Sequence, residues 1–287
     1  MRKTNWIIAA GVALGLGMTT AGAARAGCAS AEEIAAFAEA YASKSPAKAL
    51  SVGGSMADAA CSQDKLVAVL RRQMGPVVGY KAGLTSKPAQ DRFGVTEPVR
   101  GVLYRDTILP DGATVPTPWG AIPVFEADLI LEIADAGING VSTPQQAMAH
   151  IAAVHPFIEL PDLMLAKGEP ITGVTLTAMG VGTRAGVMGA GLPVTDADAM
   201  YQALGAMQVV LRAADGEVLA DVPGAAVLGH PVNSLLWLRD KGIVFKPGDL
   251  VSVGSFGPLM PPARGKGGAS VTYVGLPGDP VVRVTFD

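Results

Sequence analysis

Phe125-Glu126-Ala127-Asp128-Leu129-Ile130-Leu131-Glu132-Ile133 places two carboxylates, Glu126 and Asp128, in an otherwise apolar run. The run reads as a strand, and on a strand a spacing of two sets both acids on one face. Like charges side by side repel, and burying either is costly unless a cation sits between them. A hard divalent cation with oxygen ligands meets both costs. The alternative is an exposed strand edge with two solvated acids. Phe125, Leu129, Ile130 and Leu131 argue against a strand that faces water.

Glu159 is the natural third ligand. It stands alone in Pro156-Phe157-Ile158-Glu159-Leu160-Pro161, where a lone acid is expected to be paired or ligating. A salt bridge to Arg184 is its competing reading. Asp162 and His155, close in sequence, are weaker ligand candidates, and His155 reads as structural. Upstream, Lys81 lies in Gly79-Tyr80-Lys81-Ala82-Gly83-Leu84-Thr85-Ser86, an uncharged, Gly-containing run in which the backbone can approach a ligand closely. A partly buried lysine there would bind a substrate carboxylate or move a proton. Taken alone, Lys81 reads equally as a strand-end lysine pointing into water.

Around these segments the chain divides into three zones. Ser30 to Met74 is helical: Ser30 and Glu33 form a capping-box pattern, and a second helix is expected at about residues 57–73. Val77 to His155 reads as short strands and turns, with a turn at Pro110-Asp111-Gly112 and a helix from Thr143 to Ala153 opened by Pro144. Pro156 to Asp287 alternates strands and turns around one clear helix at Pro231–Asp240. The pattern is α+β, with an N-terminal helical segment (27–76) leading a β-rich domain (77–287).

The N-terminus has its own signature. Arg2 and Lys3 precede an uncharged apolar run from Trp6 to about Met18, then small residues ending in Ala24-Arg25-Ala26. That order is a secretory signal peptide, residues 1–26, cleaved after Ala26. Arg25 stands where a lipid-attachment site before Cys28 normally has an apolar residue, so simple export to the periplasm or medium is expected over lipidation. Removing the leader leaves about 260 residues, one large domain or two modest ones. No later stretch is long and apolar enough to span a membrane. The two cysteines, Cys28 and Cys61, both remain after cleavage, and an even pair in an oxidising compartment is expected to form a disulfide. Charged residues are 16% of the chain and the net charge is −3, with no basic stripe, which argues against nucleic acid as a partner. The 36 glycines and 21 prolines suit many tight turns between short strands.

Six segments occur in one order: GYKAGLTS, RGVLYRDTIL (Arg100–Leu109), FEADLILEI, PFIEL, LGHPVNSLLWL (Leu228–Leu238) and GDLVSVGSFGP (Gly248–Pro258). Together they resemble the hydratase/decarboxylase branch of the fumarylacetoacetate hydrolase superfamily, from about Asp58 to the C-terminus. The resemblance implies a mixed β-roll with flanking helices and Mg²⁺ or Mn²⁺ held by three carboxylates, here Glu126, Asp128 and Glu159. The second ligand is more often Glu in that branch, and Asp128 shortens the reach. The resemblance also implies that Lys81 contacts substrate, that Asp106 of the GxLxxD segment assists it in proton transfer, and that Ser255 binds substrate. His230, in Gly229-His230-Pro231, is expected to be a cap and turn residue; Asn233 and Trp237 suit either core packing or pocket lining.

The implied chemistry is a metal-stabilised enolate of a small 2-oxo acid, which serves hydration, decarboxylation and C–C cleavage alike. The hydrolase branch uses a His–Glu pair on a short N-terminal lid. None of His150, His155 and His230 lies in such a segment, which favours lyase chemistry. One departure stands out: Thr177-Ala178-Met179-Gly180-Val181-Gly182-Thr183 lacks the Asn, often preceded by Asp, that the branch carries near its site. Export is a second departure, and a competing reading is an exported, non-catalytic binding protein for small oxo acids or dicarboxylates. A homo-oligomer is expected.

Overall fold

The computed structural model describes residues 27–287. The expected leader and its cleavage point lie outside the described residues. Among the described residues no helix is long and apolar enough to cross a membrane.

The chain opens with α1 (Ala31–Ala42) and α2 (Met56–Met74). The Ser30 hydroxyl accepts from the Glu33 amide and the Glu33 carboxylate accepts from the Ser30 amide, which completes the expected capping box. Ser55 and Asp58 repeat the device on α2, which stops at Gly75 in a positive-φ conformation before Pro76. Cys28 and Cys61 are disulfide-bonded, as expected, with Cα atoms 5.6 Å apart. The bond ties the residues ahead of α1 to α2, and a hydrogen bond from the Ala29 amide to Ser62 reinforces it.

The strands are β1 (Val77–Gly83), β2 (Val99–Tyr104), β3 (Ile108–Pro110), β4 (Thr114–Val115), β5 (Glu126–Ile133), β6 (Ile151–Leu160) and β7 (Ala185–Met188). After them come β8 (Leu192–Pro193), β9 (Gln208–Ala213), β10 (Val218–Pro223), β11 (Leu250–Ser252), β12 (Gly268–Val274) and β13 (Val281–Phe286). One sheet runs β2-β1-β11-β5-β6-β7-β3, with β8 added on β6; the other runs β10-β9-β12-β13-β4. Leu129 and Leu131 of β5 share one buried cluster with Val209 and Leu211 of β9, Val271 and Tyr273 of β12 and Val282 of β13. Each such side chain withdrawn from water contributes ~1.5–3 kcal/mol before the cost of ordering it.

The remaining helices are α3 (Lys87–Phe93), α4 (Pro144–Met148), α5 (Gly173–Ala178), α6 (Ala197–Ala206) and α7 (Val232–Asp240). Ile34 and Phe37 of α1, Leu66 and Leu70 of α2, and Leu176 of α5 join Tyr104 and Leu165 in a second core. The N-terminal helices therefore share their hydrophobic interior with the β-rich part of the chain.

Two expectations about elements need correction. The helix expected over Thr143–Ala153 ends at Met148, and Ile151 already belongs to β6. β5 is buried along its length and needs a partner on each side. Pairing Ile133 with Ile151 and Leu131 with Val154 satisfies it, and outweighs the helical tendency of the Ala-rich run. The zone after Pro156 holds three helices where one was expected. α6 carries a legible start, since the Asp196 carboxylate accepts from the Ala199 amide. α5 is rich in β-branched residues and gains its helical form from packing against α2 and from the Thr172–Thr175 capping box.

Candidate active site

β1, β11, β5 and β6 are consecutive in the larger sheet, and each contributes a polar side chain to one buried cluster. Glu126 of β5 lies directly opposite Glu159 of β6, and Asp128 lies two residues along β5. Cross-strand partners and i, i+2 neighbours share a face, so the three carboxylates converge by strand geometry alone. All three are buried, Asp128 completely. Lys81 of β1 is paired in the ladder with Ser252 of β11, and its ammonium donates to Glu159 Oε1 and, at 3.1 Å, to the carbonyl of Val181.

The lysine lies in a backbone sleeve. A Cβ on Gly101 would meet Lys81 Cγ at 2.7 Å and the Gly180 carbonyl oxygen at 3.0 Å, so only glycine leaves room for its stem. Val181 has a φ of 57°, rare for a β-branched residue, between Gly180 and Gly182, which are also at positive φ. That strained turn aims the Val181 carbonyl at the ammonium. Its side chain fits over Gly83, where a Cβ would come within 2.5 Å of Val181 Cγ1. The segment without an Asn thus supplies a main-chain acceptor to Lys81.

Three carboxylates against one ammonium leave the cluster with an excess of negative charge. Burial, then the neighbouring Glu159 charge, push the Glu126 carboxyl well above the usual carboxylate range, against the opposing pull of Lys81 and the Ser255 hydroxyl. Burial and Glu159 likewise push Asp128 up to about 7, although the Ser252 hydroxyl and the Leu129 amide favour its charged form. A divalent cation offsets such an excess, and carboxylate oxygens are its preferred ligands. Yet among the described residues no set of three or more His, Cys, Asp or Glu side chains is arranged as a ready metal cage. Asp128 already accepts from Ser252 Oγ, from the Gly254 amide at 3.0 Å and from its own neighbour's amide, Leu129, at 2.6 Å. Glu126 and Glu159 face each other across the β5–β6 ladder, and Asp128, two residues along β5, is hydrogen-bonded to β11 and the Gly254 turn.

Of the residues expected from sequence, Lys81, Glu126, Asp128, Glu159 and Ser255 meet here. Ser255 is half-buried, donates to the Gly257 carbonyl at 2.7 Å and lies beside Glu126. Asp106 does not join them. It follows β2 beyond Tyr104, which pairs with Val77, whereas Lys81 pairs with Gly101. Five strand positions separate the two, roughly 16 Å. Asp106 is exposed there in an ion pair with Arg105. Arg184 does not pair with Glu159 either: it donates to the carbonyls of Trp119 and Tyr41 and stacks on the Tyr41 ring. Asp162 accepts from the amides of Ala121 and Ile122 and so fixes a loop. His155 pairs with Glu132 at 3.0 Å, and His230 accepts from the Val232 amide and contacts the Tyr201 carbonyl, both in structural roles.

Two residues of this centre escape sequence reasoning. Ser252 is a lone polar residue between Val251 and Val253, the same sign by which Glu159 stands out. Tyr273 has no such sign. It reaches from β12 of the other sheet, donates to the Asp128 and Phe157 carbonyls, and accepts from the Phe157 amide. Its hydroxyl thus wedges into the β5–β6 ladder where Asp128 faces Phe157, one residue past Pro156, which has no amide hydrogen to give.

The fold and this centre define a mixed α/β protein of curled sheets with an acid-rich buried site. Comparison with known proteins gives the family. The chain is 31% identical over 223 residues to 2-keto-4-pentenoate hydratase of Burkholderia vietnamiensis, covering 76% of this chain and 81% of that one. It is 31% identical over 196 residues to 2-hydroxyhexa-2,4-dienoate hydratase of Comamonas testosteroni, covering 66% and 72%. Its fold matches that of 4-oxalocrotonate decarboxylase from Pseudomonas putida G7, complexed with magnesium and adipate, with a TM-score of 0.76 over 91% of this chain and 100% of that one, at 23% identity. No family model matches the chain. The chain belongs to the fumarylacetoacetate hydrolase superfamily, in its hydratase/decarboxylase branch.

Proposed function

We propose that this protein is a lyase of the hydratase or decarboxylase type, acting on a small 2-oxo acid with Mg²⁺ or Mn²⁺. The observation that carries the reading is the buried juxtaposition of Glu126 and Glu159 beside Lys81, in a chain whose relatives are hydratases. Glu126, Asp128 and Glu159 would hold the cation. When bound, it would withdraw electron density from a 2-oxo acid and stabilise the negative charge of an enolate.

The protein's own groups do the rest. Lys81 is the cluster's ammonium and is fixed at both ends, by Gly101 beneath its stem and by Val181 and Glu159 at its head. It would hold the substrate carboxylate or deliver a proton beside it. Ser255, on the turn after β11, would orient the substrate through its hydroxyl. Asp106 has no part, because it stands at the far end of β2. The proposed setting is outside the cytoplasm, with the mature chain beginning at Gly27; mass spectrometry of the exported protein checks that start.

The test is exchange of the C3 protons of 2-oxo acids with deuterium, followed by NMR with Mg²⁺ present, alongside turnover of 2-keto-4-pentenoate. Exchange that disappears in Glu126→Gln and in Lys81→Met supports the reading. Tight binding of 2-oxo acids without exchange above a metal-only control would instead favour a binding protein.

A further inference from the structure

We propose that Gln63 of α2 is a positioning residue for Lys81, acting through the backbone sleeve that holds the lysine's stem. The inference rests on the reading of Lys81 as a group that meets substrate. It goes beyond that reading by giving the N-terminal helices a part in the site.

β2 is an edge strand of the larger sheet, so the carbonyls on its outer side have no ladder partner. Buried carbonyls of this kind need donors, and two side chains supply them. Gln63, 1% exposed, donates from its side-chain amide to the Arg100 carbonyl at 2.7 Å and to the Thr177 carbonyl at 2.9 Å. These two acceptors take both of its amide hydrogens. The Thr183 hydroxyl lies 3.0 Å from the Val102 carbonyl and 2.9 Å from the Gly180 carbonyl, with one hydrogen to share between them. Each side chain thus ties β2 to the segment that runs from the end of α5 to β7. The two ties fall on the residues that flank Gly101.

Lys81 is held at that point. Its stem, Gly101 and the Gly180 carbonyl meet there, and its ammonium donates to the Val181 carbonyl one residue on. Parting β2 from the α5–β7 segment withdraws both sides of the sleeve at once. The carboxylates stand apart from this: Glu126, Asp128 and Glu159 are on β5 and β6, with β1 and β11 between them and β2. Gln63 therefore acts on the ammonium and leaves the anions in place. Anchoring α2 is a separate task, met by Leu66 and Leu70, which bury apolar surface in the core shared with Tyr104 and Leu176.

Lysine acetylation of the intact protein in chelator, followed peptide by peptide in mass spectrometry, needs neither metal nor substrate. Lys81 is buried and should be protected in wild type, while the exposed Lys241 reacts and serves as reference. Gln63→Met removes both donors at nearly constant size, and Thr183→Val removes the hydroxyl at nearly constant shape. Each is expected to raise the Lys81 rate about 10-fold relative to Lys241, the change that one lost hydrogen bond makes in a local opening equilibrium. Leu70→Val, seven residues along on the same face of α2, trims apolar contact and breaks neither tie, so Lys81 should stay protected. With Mn²⁺, C3 exchange at saturating 2-oxo acid should fall in Gln63→Met by up to about 10²-fold, as for a reacting group misplaced by ~1 Å. Mn²⁺ affinity in titration calorimetry should hold at the wild-type value. Unchanged Lys81 labelling in both tie variants, an equal rise in Leu70→Val, or a matching loss of Mn²⁺ affinity overturns the inference. Absence of exchange in the unaltered protein overturns the lyase reading, and the labelling then decides the positioning of Lys81 by itself.

Discussion

Replacing Lys81 by Met removes the cluster's ammonium and keeps the apolar stem over Gly101. Lys81 and Glu159 are both 3% exposed in their side chains, and Glu126 and Asp128 each feel the lysine as an opposing charge. Breaking a buried pair at one end typically costs about 3–5 kcal/mol, because the surviving charge is left without a partner. That is a large share of a usual folding stability of about 5–15 kcal/mol. The cost depends on pH, and its sign follows from Asp128. A carboxyl whose folded pKa is raised, here to about 7, takes up a proton on folding, so it lowers stability as pH rises from the ordinary aspartate value of 3.8 through about 7. Lys81 limits that loss. The gap between the two proteins should therefore be widest at pH 8 and shrink toward pH 5. Mg²⁺ at 100-fold excess over a protein's own dissociation constant should raise that protein's stability by ~2.7 kcal/mol. The gap at pH 8 therefore narrows only as far as Lys81→Met binds the cation more tightly than wild type. Urea unfolding at both pH values, in chelator and then in MgCl₂, measures each term. A Lys81→Met protein within about 1 kcal/mol of wild type at pH 8 in chelator would refute the uncompensated-charge reasoning, since surface pairs alone lose so little.

Tyr273→Phe leaves the Phe157 amide and two buried carbonyls without their shared hydroxyl, and should cost ~2–4 kcal/mol in chemical denaturation; a change under about 0.5 kcal/mol would mean that the β5–β6 ladder closes without it. Replacing Cys28 and Cys61 together by serine opens a cross-link between residues 33 apart in sequence, and should lower stability by ~3–4 kcal/mol, while an Ellman assay of the unreduced protein should find no free thiol. Burial holds His230 below its ordinary value of 6.5, so the neutral ring is the folded form; stability is full above about 6.5 and declines as pH falls toward the lowered value, a slope that should flatten in His230→Gln and that pH-dependent thermal unfolding would reveal.

Much of the centre is written locally in the chain. Glu126 and Asp128 share a face because strand periodicity is two, and Glu159 is conspicuous because it is an acid among apolar residues between prolines. The capping boxes at Ser30, Ser55 and Thr143 satisfy helix ends through residues three positions away, so short-range rules find them. The disulfide follows from an even pair of cysteines after a leader-like segment. What the chain does not carry locally is which partners those groups meet. The family's GxLxxD pattern suggests that Asp106 serves Lys81, yet antiparallel pairing sends the two to opposite ends of β1 and β2. The Ala-rich run after Pro144 has helical propensity, but a buried strand in want of a neighbour converts it to β6. Nothing near Asp128 in the chain tells that the fold brings Ser252 and Gly254 within its reach, 124 and 126 residues along, or that Tyr273 enters from the other sheet at 145. Periodicity sets the direction of a side chain relative to its own strand, and the sequence determines that by itself. Hydrogen-bond partners across a sheet depend on strand order and register, which minimise unsatisfied polar groups over the whole interior at once, and only the tertiary structure decides them.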